Sequence, residues 1–368
     1  MRTLTVAWDN SVARMDKAGT GVYATRLLEQ FANRKDLQME VLNGWHGNRR
    51  VNRRIETIGN LLWTHAYLPR ILRKVHADVF HAPAFVAPSQ APCPVIVTVH
   101  DITYLLYPSH FSRWWTTYMQ AVMPPAMKSA AAIVCGSEHS KRDIAKTYSI
   151  PPDKIHVVPY GVDHGRFHPG VALDSDWARS LGIRDGYLLH VGTLSYRKNI
   201  PTLLRAVAQL RARGKWGGRQ LVLAGSEGRG IKGASEISDT IQQLNLGNSV
   251  VLAGHVPDNH VPGLYARASI LIMPSLYEGF GFPVLESMAV GTPVVASDSS
   301  SLPEVGADAA IFFPPLDEAA LAKAISDVLE NRQVAEELRR KGLKRASEFS
   351  WQRTAEQTLS IYRSVAKS

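Results

Sequence analysis

Residues 275–293 read Ser-Leu-Tyr-Glu-Gly-Phe-Gly-Phe-Pro-Val-Leu-Glu-Ser-Met-Ala-Val-Gly-Thr-Pro. They follow an apolar run at 268–273, which is typical of a buried parallel strand. Pro283 predicts the start of a helix. A strand, a glycine-containing loop and a helix N-terminus in this order form the anion-binding edge of an open α/β sheet. Two carboxylates, Glu278 and Glu286, therefore lie where the backbone favours a phosphate.

Strand-like and helix-like segments alternate along the whole chain, which predicts doubly wound parallel sheets. At 368 residues the chain is too long for one ordinary core. The segment at 165–175 is polar and contains proline and glycine, so we interpret it as a linker. We expect two Rossmann-like α/β domains, at 1–165 and 176–350, whose carboxyl edges face a central cleft. Between the first two predicted strands, a loop containing Gly19 and Gly21 precedes a helix, and a later helix at 111–130 is expected to break near Pro124-Pro125.

The composition, 45% hydrophobic and 20% charged, is that of a globular protein. No apolar run approaches the roughly 18–20 residues that span a bilayer. The first residues lack a signal-peptide pattern, and Cys93 and Cys135 are interpreted as buried thiols. We therefore expect a cytoplasmic enzyme.

The net charge of +10 is uneven, because residues 1–170 hold 20 Lys and Arg against 12 Asp and Glu. This excess includes a basic segment at 49–54. It favours an anionic substrate or peripheral association with an anionic membrane surface, although a merely basic surface is also compatible. Nucleic acid is not expected as a partner, since RNP, zinc-finger and helix-turn-helix signatures are absent.

Glu278 and Glu286 are eight residues apart, across a loop and one helical turn, and this spacing can direct both into one site. Carboxylates accept hydrogen bonds from sugar and ribose hydroxyls. The amides of Phe280 and Gly281, together with the helix dipole, favour a phosphate. Without further context, a surface Glu278 and a Glu286 that stabilises the helix N-terminus explain the pattern equally well.

A second constellation, Arg197-Lys198, stands between a predicted strand at 187–191 and a helix beginning at Pro201. Two cations ahead of a helix N-terminus suit a diphosphate, and they would stabilise the charge that grows on a departing diphosphate. A solvated basic loop is the alternative. His100-Asp101 forms a third constellation at the end of a predicted strand, where a histidine by itself is often only a loop residue.

Two weaker motifs argue against other enzyme classes. Residues 19–24 read Gly-x-Gly-x-x-Ala, but the first predicted strand ends at Trp8, too far away for a dinucleotide fingerprint, which demotes an NAD-dependent oxidoreductase. Asp-x-Asp can be a metal-binding motif, and it occurs at 174–176. Because it lies in the predicted linker with no strand before it, we do not interpret it as a metal site. Metal-ligand spacing is not found, and we expect neither a metal nor a cofactor.

The segment at 274–297, which also includes Val-Val-Ala-Ser, resembles almost residue for residue the Glu-x7-Glu motif of retaining GT-B glycosyltransferases of family 4. The resemblance extends to 192–204, 221–225 and 133–163, and more weakly to the first hundred residues. It implies a GT-B fold in which Glu278 contacts the transferred sugar and Glu286 the nucleotide ribose, neither acting as a nucleophile. It also implies that the helix at 351–368 packs back on the first domain.

The resemblance assigns expected roles to further residues. His100 is expected beside the donor sugar and is expected to act in catalysis with Glu278, Arg197 and Lys198. The expected donor-binding residues are Gly19, Gly21, Thr193, Arg197, Lys198, His255, Val256, Glu278, Gly279, Phe280, Gly281, Leu285 and Glu286. Many relatives carry an arginine where this chain has Thr193. Stabilisation of the leaving group's charge is therefore expected to depend more on Arg197 and Lys198.

Together with these observations, the resemblance implies a metal-independent retaining glycosyltransferase that moves a hexose from a nucleotide-sugar donor onto a glycan or lipid-linked acceptor, with the acceptor on the basic first domain. Similarity to bacterial polysaccharide mannosyltransferases implies GDP-mannose as donor. A UDP-hexose or GDP-deoxyhexose donor stays open. So do two other classes of protein, a sugar-nucleotide epimerase and a non-catalytic nucleotide-binding module.

Overall fold

The computed structural model of the chain describes residues 3–11, 19–32, 34–44, 59–226 and 234–367. The basic segment at 49–54 lies outside these residues. The chain divides into two compact units. The first comprises Met1–Ile102, Trp114–Gly161 and Trp351–Ser368, and the second comprises Thr103–Arg113 and Val162–Ser350. Each unit contains one six-stranded parallel sheet flanked by helices, as the strand and helix alternation predicts.

The sheet of the first unit has the strand order β2-β1-β3-β4-β5-β6. Its strands are β1 (Leu4–Asp9), β2 (Leu37–Leu42), β3 (Val79–Ala82), β4 (Val95–Thr98), β5 (Ala132–Cys135) and β6 (Ile155–Val157). Every residue of β3, β4 and β5 is buried, as expected for parallel strands covered on both faces. The direction of winding reverses between β1 and β3, and ligands bind at such switch points in open α/β sheets.

The sheet of the second unit has the order β12-β11-β10-β7-β8-β9. Its strands are β7 (Leu188–Val191), β8 (Leu221–Ala224), β9 (Val250–Gly254), β10 (Ile270–Met273), β11 (Val294–Ser297) and β12 (Ala310–Phe313). Read from the other edge, this is the strand order 3-2-1-4-5-6 of dinucleotide-binding folds. Its switch point lies between β7 and β10, which are neighbours.

Helices connect the strands and cover the sheets. In chain order the helices are α1 (Gly19–Phe31), α2 (Leu68–Lys74), α3 (Thr103–Leu106), α4 (Arg113–Ser129), α5 (Glu138–Tyr148), α6 (Ser175–Ser180), α7 (Ile200–Ala212), α8 (Ala234–Gln243), α9 (Val261–Ala266), α10 (Phe282–Val290), α11 (Leu302–Gly306), α12 (Glu318–Glu330), α13 (Arg332–Ser347) and α14 (Trp351–Val365). Within the part of the chain that the structure describes, none of these helices is both long and apolar enough to cross a membrane.

Two local predictions were wrong. Gly19 and Gly21 do not form a loop ahead of α1, because the helix begins at Gly19 and they make up its first turn. Helix α4 does not break at Pro124-Pro125 but continues to Ser129. Each proline removes one helical hydrogen bond, to the carbonyl four residues earlier. These carbonyls belong to Gln120 and Ala121, which are exposed, so water can satisfy them.

The segment expected as a linker packs within the second unit. The Arg166 guanidinium donates to the Asp258 carbonyl oxygen at 2.8 Å, and the Phe167 ring meets Tyr265 edge-on at 6.0 Å. The Asp-x-Asp motif is a helix cap. The Asp174 carboxylate accepts hydrogen bonds from the amides of Asp176 and Trp177, both at 3.0 Å, at the start of α6.

Helix α14 is held in the first unit by a buried polar network. The Tyr362 hydroxyl bonds Nδ1 of His81, whose Nε2 lies 2.8 Å from the Thr98 hydroxyl. The Thr98 hydroxyl in turn lies 3.1 Å from the Tyr23 hydroxyl in α1. Burial, with a smaller contribution from the neighbouring His100, lowers the pKa of His81 to about 3. His81 is therefore neutral in the folded protein at neutral pH.

This network predicts a loss of stability in mild acid. The unfolded chain protonates His81 below its ordinary pKa of 6.5, whereas the folded protein does not until about pH 3. Stability should therefore fall as pH drops through this window, by up to about 1.4 kcal/mol per pH unit for this histidine. The urea concentration at the midpoint of unfolding of the first unit should fall less steeply with decreasing pH in His81→Gln than in the wild type. Tyr362→Phe is the matched control, because it loses the hydrogen bond but keeps the wild-type slope. Equal slopes in His81→Gln and wild type would contradict this role of His81.

Candidate functional site

The loops that follow β7 and β10 meet at the switch point of the second sheet. The loop after β7 carries Arg197 and Lys198 in a short 3-10 turn, and the loop after β10 carries Glu278. The Leu276 amide donates to the Arg197 carbonyl oxygen at 2.8 Å, which ties the two loops together. Residues far apart in sequence are thereby placed in one cluster.

Asn199 fixes the loop after β7. Its backbone adopts the left-handed conformation (φ 53°), which asparagine tolerates better than most residues. Its side-chain amide donates to the carbonyl oxygens of Pro274 at 3.1 Å and Pro315 at 2.6 Å. Its side-chain oxygen accepts from the Thr202 hydroxyl at 2.8 Å. Asn199 therefore joins the loops after β7, β10 and β12 immediately before α7 begins.

Glu278 lies at the centre of the cluster. Its Oε1 accepts from Lys198 Nζ and from the Ser275 hydroxyl, both at 2.6 Å. Its Oε2 accepts from Arg197 Nη1 at 2.7 Å, and the same Nη1 lies 2.6 Å from the Tyr277 carbonyl oxygen. Glu278 is only 7% exposed and Lys198 only 5%. We call Arg197, Lys198, Glu278 and Ser275 the ion cluster; two cations against one carboxylate give it a net charge of +1.

The ion cluster controls the ionisation of Glu278. Burial by itself would raise the pKa of this carboxyl group. The charges of Arg197 and Lys198, with hydrogen bonds from Lys198 and Ser275, outweigh burial and lower the pKa of Glu278 to about 2. A carboxylate that is so weakly basic and accepts three side-chain hydrogen bonds is unsuited to take a proton during a reaction.

A run of serines after β11 supports the loop that carries Glu278. The Ser300 hydroxyl accepts from the Glu278 amide at 2.7 Å. The Ser301 hydroxyl lies 2.9 Å from the Glu278 carbonyl oxygen and 2.7 Å from that of Phe280. Ser297 donates to the Ser275 carbonyl oxygen at 2.5 Å. These serines were not among the expected site residues, although four serines at 297 and 299–301 directly after an apolar strand were a readable signal.

Glu286 lies one turn inside α10, because that helix begins at Phe282 behind Gly281, whose φ is +115°. Glu286 Oε2 accepts from the Tyr265 hydroxyl at 2.8 Å. Burial raises the pKa of Glu286 to about 7, against the opposing effects of this hydrogen bond and of the Arg166 charge. The two glutamates of the motif therefore ionise in different pH ranges. Tyr265 was not identified from the sequence, and no pattern there marks it.

Two glycines allow the loops after β7 and β8 to approach each other. A Cβ on Gly225 would lie 1.9 Å from the Gly192 carbonyl oxygen, so only glycine fits there. A Cβ on Gly192 would lie 2.9 Å from Lys198 Cε and 3.0 Å from Nζ. The Gly225 amide donates to the Gly254 carbonyl oxygen at 2.7 Å, which brings the end of β9 to the same edge. His255, which is exposed, and Val256, which is buried, follow directly.

The remaining expected donor-binding residues of the second unit have different surroundings. Thr193 is half-buried in the loop after β7, next to Gly192. Leu285 is fully buried, so its side chain packs in the core, and its amide lies 3.3 Å from the Gly281 carbonyl oxygen. Gly279 and Phe280 lie between Glu278 and the start of α10, and Phe280 is buried.

In the first unit, His100 follows β4 at the carboxyl edge of the sheet. Its Nδ1 lies 2.8 Å from the Tyr160 hydroxyl and its Nε2 lies 3.0 Å from the Pro83 carbonyl oxygen. The ring also packs edge-on against Tyr23 and Phe85. Burial lowers the pKa of His100 to about 4, so the ring is neutral at neutral pH. Gly19 and Gly21 lie in the first turn of α1, which follows β1 at the switch point.

In the part of the chain that the structure describes, acidic, histidine and cysteine side chains do not gather into a metal site. Across the described ranges, no group of three or more such residues has the proximity needed to hold a metal ion.

The chain matches family models over both halves. Residues 175–345 match the glycosyl transferases group 1 and residues 18–166 match glycosyltransferase family 4. O-antigen chain mannosyltransferase B of Escherichia coli is 31% identical over 300 residues, which cover 79% of this chain and 76% of that protein. The chain is a GT-B glycosyltransferase of the family 4 type.

Further proteins resemble this glycosyltransferase in sequence or in fold. The MMP alpha-(1->4)-mannosyltransferase of Mycolicibacterium hassiacum is 32% identical over 230 residues, or 61% of this chain and 52% of that protein. Sucrose-phosphate synthase of Thermosynechococcus elongatus has a TM-score of 0.78 at 21% identity, covering 99% of this chain and all of that one. HepE of Anabaena in complex with UDP and glucose has a TM-score of 0.75 at 19% identity, covering 98% of this chain and 100% of that chain. These structures confirm the two-domain GT-B fold.

Proposed function

We propose that this glycosyltransferase moves a hexose, mannose from GDP-mannose, onto a glycan or lipid-linked acceptor in the synthesis of a cell-surface polysaccharide. The observation that carries the proposal is the ion cluster at the switch point of a sheet with the dinucleotide-binding strand order. The family gives the reaction type, and the two mannosyltransferases among the relatives favour mannose. The E. coli relative acts on an O-antigen chain, which favours a polysaccharide product.

The ion cluster suggests how the donor is held. Arg197 and Lys198 supply the positive charge for a diphosphate, and Glu278 offers acceptors for sugar hydroxyls. As the glycosidic bond to the diphosphate breaks, negative charge grows on the leaving group, and cations already placed at the bound diphosphate stabilise that charge. Glu286, beside Tyr265, is placed to accept from the ribose hydroxyls.

We propose that transfer proceeds with retention and without a metal ion. Glu278 has a pKa of about 2 and accepts from Lys198, Arg197 and Ser275, so it is a poor base and a poor nucleophile. We infer that an oxygen of the departing diphosphate accepts the acceptor's proton instead, on the face from which it leaves. The acceptor is assigned to the basic first unit, and contact of that unit with an anionic membrane surface remains part of the proposal.

A panel of nucleoside diphosphates tests the proposal. We expect GDP to raise the melting temperature more than UDP, ADP or dTDP, with and without EDTA. If UDP stabilises instead, the donor is a UDP-hexose, and if EDTA abolishes the rise, the site needs a metal. Formation of an epimer from the nucleotide-sugar in the absence of acceptor would identify an epimerase. Binding of the donor with neither transfer nor slow hydrolysis would identify a non-catalytic module.

Glu286 predicts that donor affinity depends on pH. The carboxylate must be ionised to accept from both ribose hydroxyls, and its pKa of about 7 leaves it largely protonated below that pH. Two other groups act on Glu286. The pKa of Tyr265 is raised well above its ordinary value, so Tyr265 does not titrate in this range, and Arg166 contributes a positive charge. Donor affinity should fall up to about tenfold per pH unit below pH 7.

Calorimetric titration with GDP-mannose between about pH 6 and pH 8 measures this dependence. Its diphosphate is esterified at both ends and does not itself titrate there. Glu286→Gln is the matched control, and it should bind with weak, pH-independent affinity. An unchanged pH profile in Glu286→Gln would remove Glu286 from the donor site.

A further inference from the structure

His190, the third residue of β7, is fully buried beneath the ion cluster. Its Nδ1 lies 3.0 Å from the Ile272 carbonyl oxygen on the neighbouring strand β10. A carbonyl oxygen only accepts, so Nδ1 carries the proton and Nε2 carries a lone pair. Burial lowers the pKa of His190 to about 4, with the Lys198 charge acting in the same direction, so the ring is neutral at neutral pH. His190 therefore presents a hydrogen-bond acceptor at Nε2.

Within the part of the chain that the structure describes, His190 Nε2 has no hydrogen-bond donor in the free protein. Among the described residues, His190 Nε2 is one of five buried side-chain nitrogen or oxygen atoms without a hydrogen-bond partner. Buried polar atoms are nearly always paired in folded proteins, so an unpaired one requires an explanation. Nothing in the proposed donor site so far uses His190.

The surroundings of Gly192 show where His190 Nε2 lies. A Cβ built on Gly192 would be 3.6 Å from His190 Nε2 and 3.0 Å from Lys198 Nζ. The two nitrogens therefore both border the space that a side chain at position 192 would occupy. In the free protein Nζ instead donates to Glu278 Oε1 at 2.6 Å.

We propose that His190 is a positioning residue for Lys198, and that its Nε2 accepts a hydrogen bond from Nζ when a diphosphate binds. This inference rests on the proposed function, in which Glu278 turns to the sugar hydroxyls and Lys198 to the diphosphate. Phosphate oxygens of a bound diphosphate are acceptors and do not satisfy Nε2, whereas the ammonium carries three donors. Ligand binding therefore pairs an atom that is unpaired in the free protein, and His190 directs the remaining N–H groups of Lys198 at the ligand.

A pair of variants separates the acceptor from the rest of the side chain. His190→Asn keeps a donor for the Ile272 carbonyl oxygen but has no acceptor at the position of Nε2. His190→Gln places its Oε1 near that position. The probes are GDP, or whichever nucleoside diphosphate of the panel stabilises the wild type most, and its nucleoside. His190→Asn should weaken diphosphate affinity about tenfold, the usual effect of one hydrogen bond to a charged group. His190→Gln should recover most of it, and nucleoside affinity should not change.

A double-mutant cycle assigns the effect to Lys198. In a Lys198→Met background, His190→Asn should have no further effect on diphosphate affinity. Trp216→Phe is the control variant, since it removes another unpaired buried atom, Trp216 Nε1, from the core of the same unit. It should leave both affinities unchanged.

Nitrogen NMR tests the inference in the wild type and does not depend on a variant that folds less well. The Nε2 resonance of His190 should move upfield when the diphosphate is added, as an acceptor nitrogen does on gaining a hydrogen bond. No movement on saturation, equal losses in His190→Asn and His190→Gln, or an effect of His190→Asn that persists in Lys198→Met would overturn the inference alone. If no nucleotide binds to the wild type, the proposed function fails and this inference fails with it.

Discussion

Glu278→Gln should abolish turnover of the donor, with a loss of at least about 100-fold in kcat, the scale of removing one preorganised polar contact to the reacting group. Glutamine preserves the shape of the side chain but removes the charge that holds Arg197 and Lys198 in place. It also removes acceptors from the sugar hydroxyls. Measurement of nucleoside diphosphate release from the donor gives the rate.

The same substitution should also destabilise the second unit. Lys198 is 5% exposed, and without the carboxylate its buried ammonium loses its ion-pair partner. Breaking a buried ion pair by removal of one partner costs about 3–5 kcal/mol. Thermal unfolding in the absence of ligand measures the loss. Glu330→Gln is the matched control, since it neutralises a carboxylate that pairs with Lys215 at the exposed surface, and its melting temperature should stay near that of the wild type. A Glu278→Gln protein with wild-type turnover would refute the role of Glu278.

Lys198→Met should weaken nucleoside diphosphate affinity by about 100-fold, because a charged hydrogen bond to phosphate in a buried site is lost. Methionine keeps most of the apolar stem that passes Gly192. Binding of the nucleoside, which has no phosphate, should not change. Calorimetric titration of both ligands gives the ratio of affinities, which is insensitive to a general loss of stability.

Arg197→Ala and Lys215→Met make this prediction specific. Arg197 also bonds Glu278 but its side chain is 21% exposed, so its removal should weaken the diphosphate less than Lys198→Met does. Lys215 is a surface lysine of the same unit and its substitution should have no effect. Equal weakening of the nucleoside and the diphosphate in Lys198→Met would show that Lys198 supports the fold and not the phosphate contact.

Much of the fold follows from the sequence because parallel strands buried on both faces leave a strong local signal. The strand predicted at 187–191 was located to within one residue, at Leu188–Val191, and the alternation of strands with helices indicated the fold class. The predicted break in α4 was wrong because it considered only the hydrogen bonds that the two prolines remove. It could not include that the affected carbonyl groups belong to exposed residues. The start of α1 was missed because Gly19 and Gly21 have low helix propensity, which the tertiary context overrides.

For the site, the sequence identified Arg197, Lys198 and Glu278 but treated the cations and the carboxylate as having separate tasks. The structure joins them in one ion cluster, which depends on the pairing of β7 with β10 and is not visible in either loop alone. Ser300, Tyr265 and His190 contribute through contacts made across the fold, so no local pattern marks them. The roles of His100, Gly19 and Gly21 toward a donor stay predictions.

Release of GDP from GDP-mannose by the wild type and by Glu278→Gln, in EDTA and with a glycan acceptor extract, tests the central claim most directly. We expect the wild type to release GDP and transfer mannose, and Glu278→Gln to release almost none while it still binds GDP. Equal release by the two proteins would contradict the assignment of this site to glycosyl transfer.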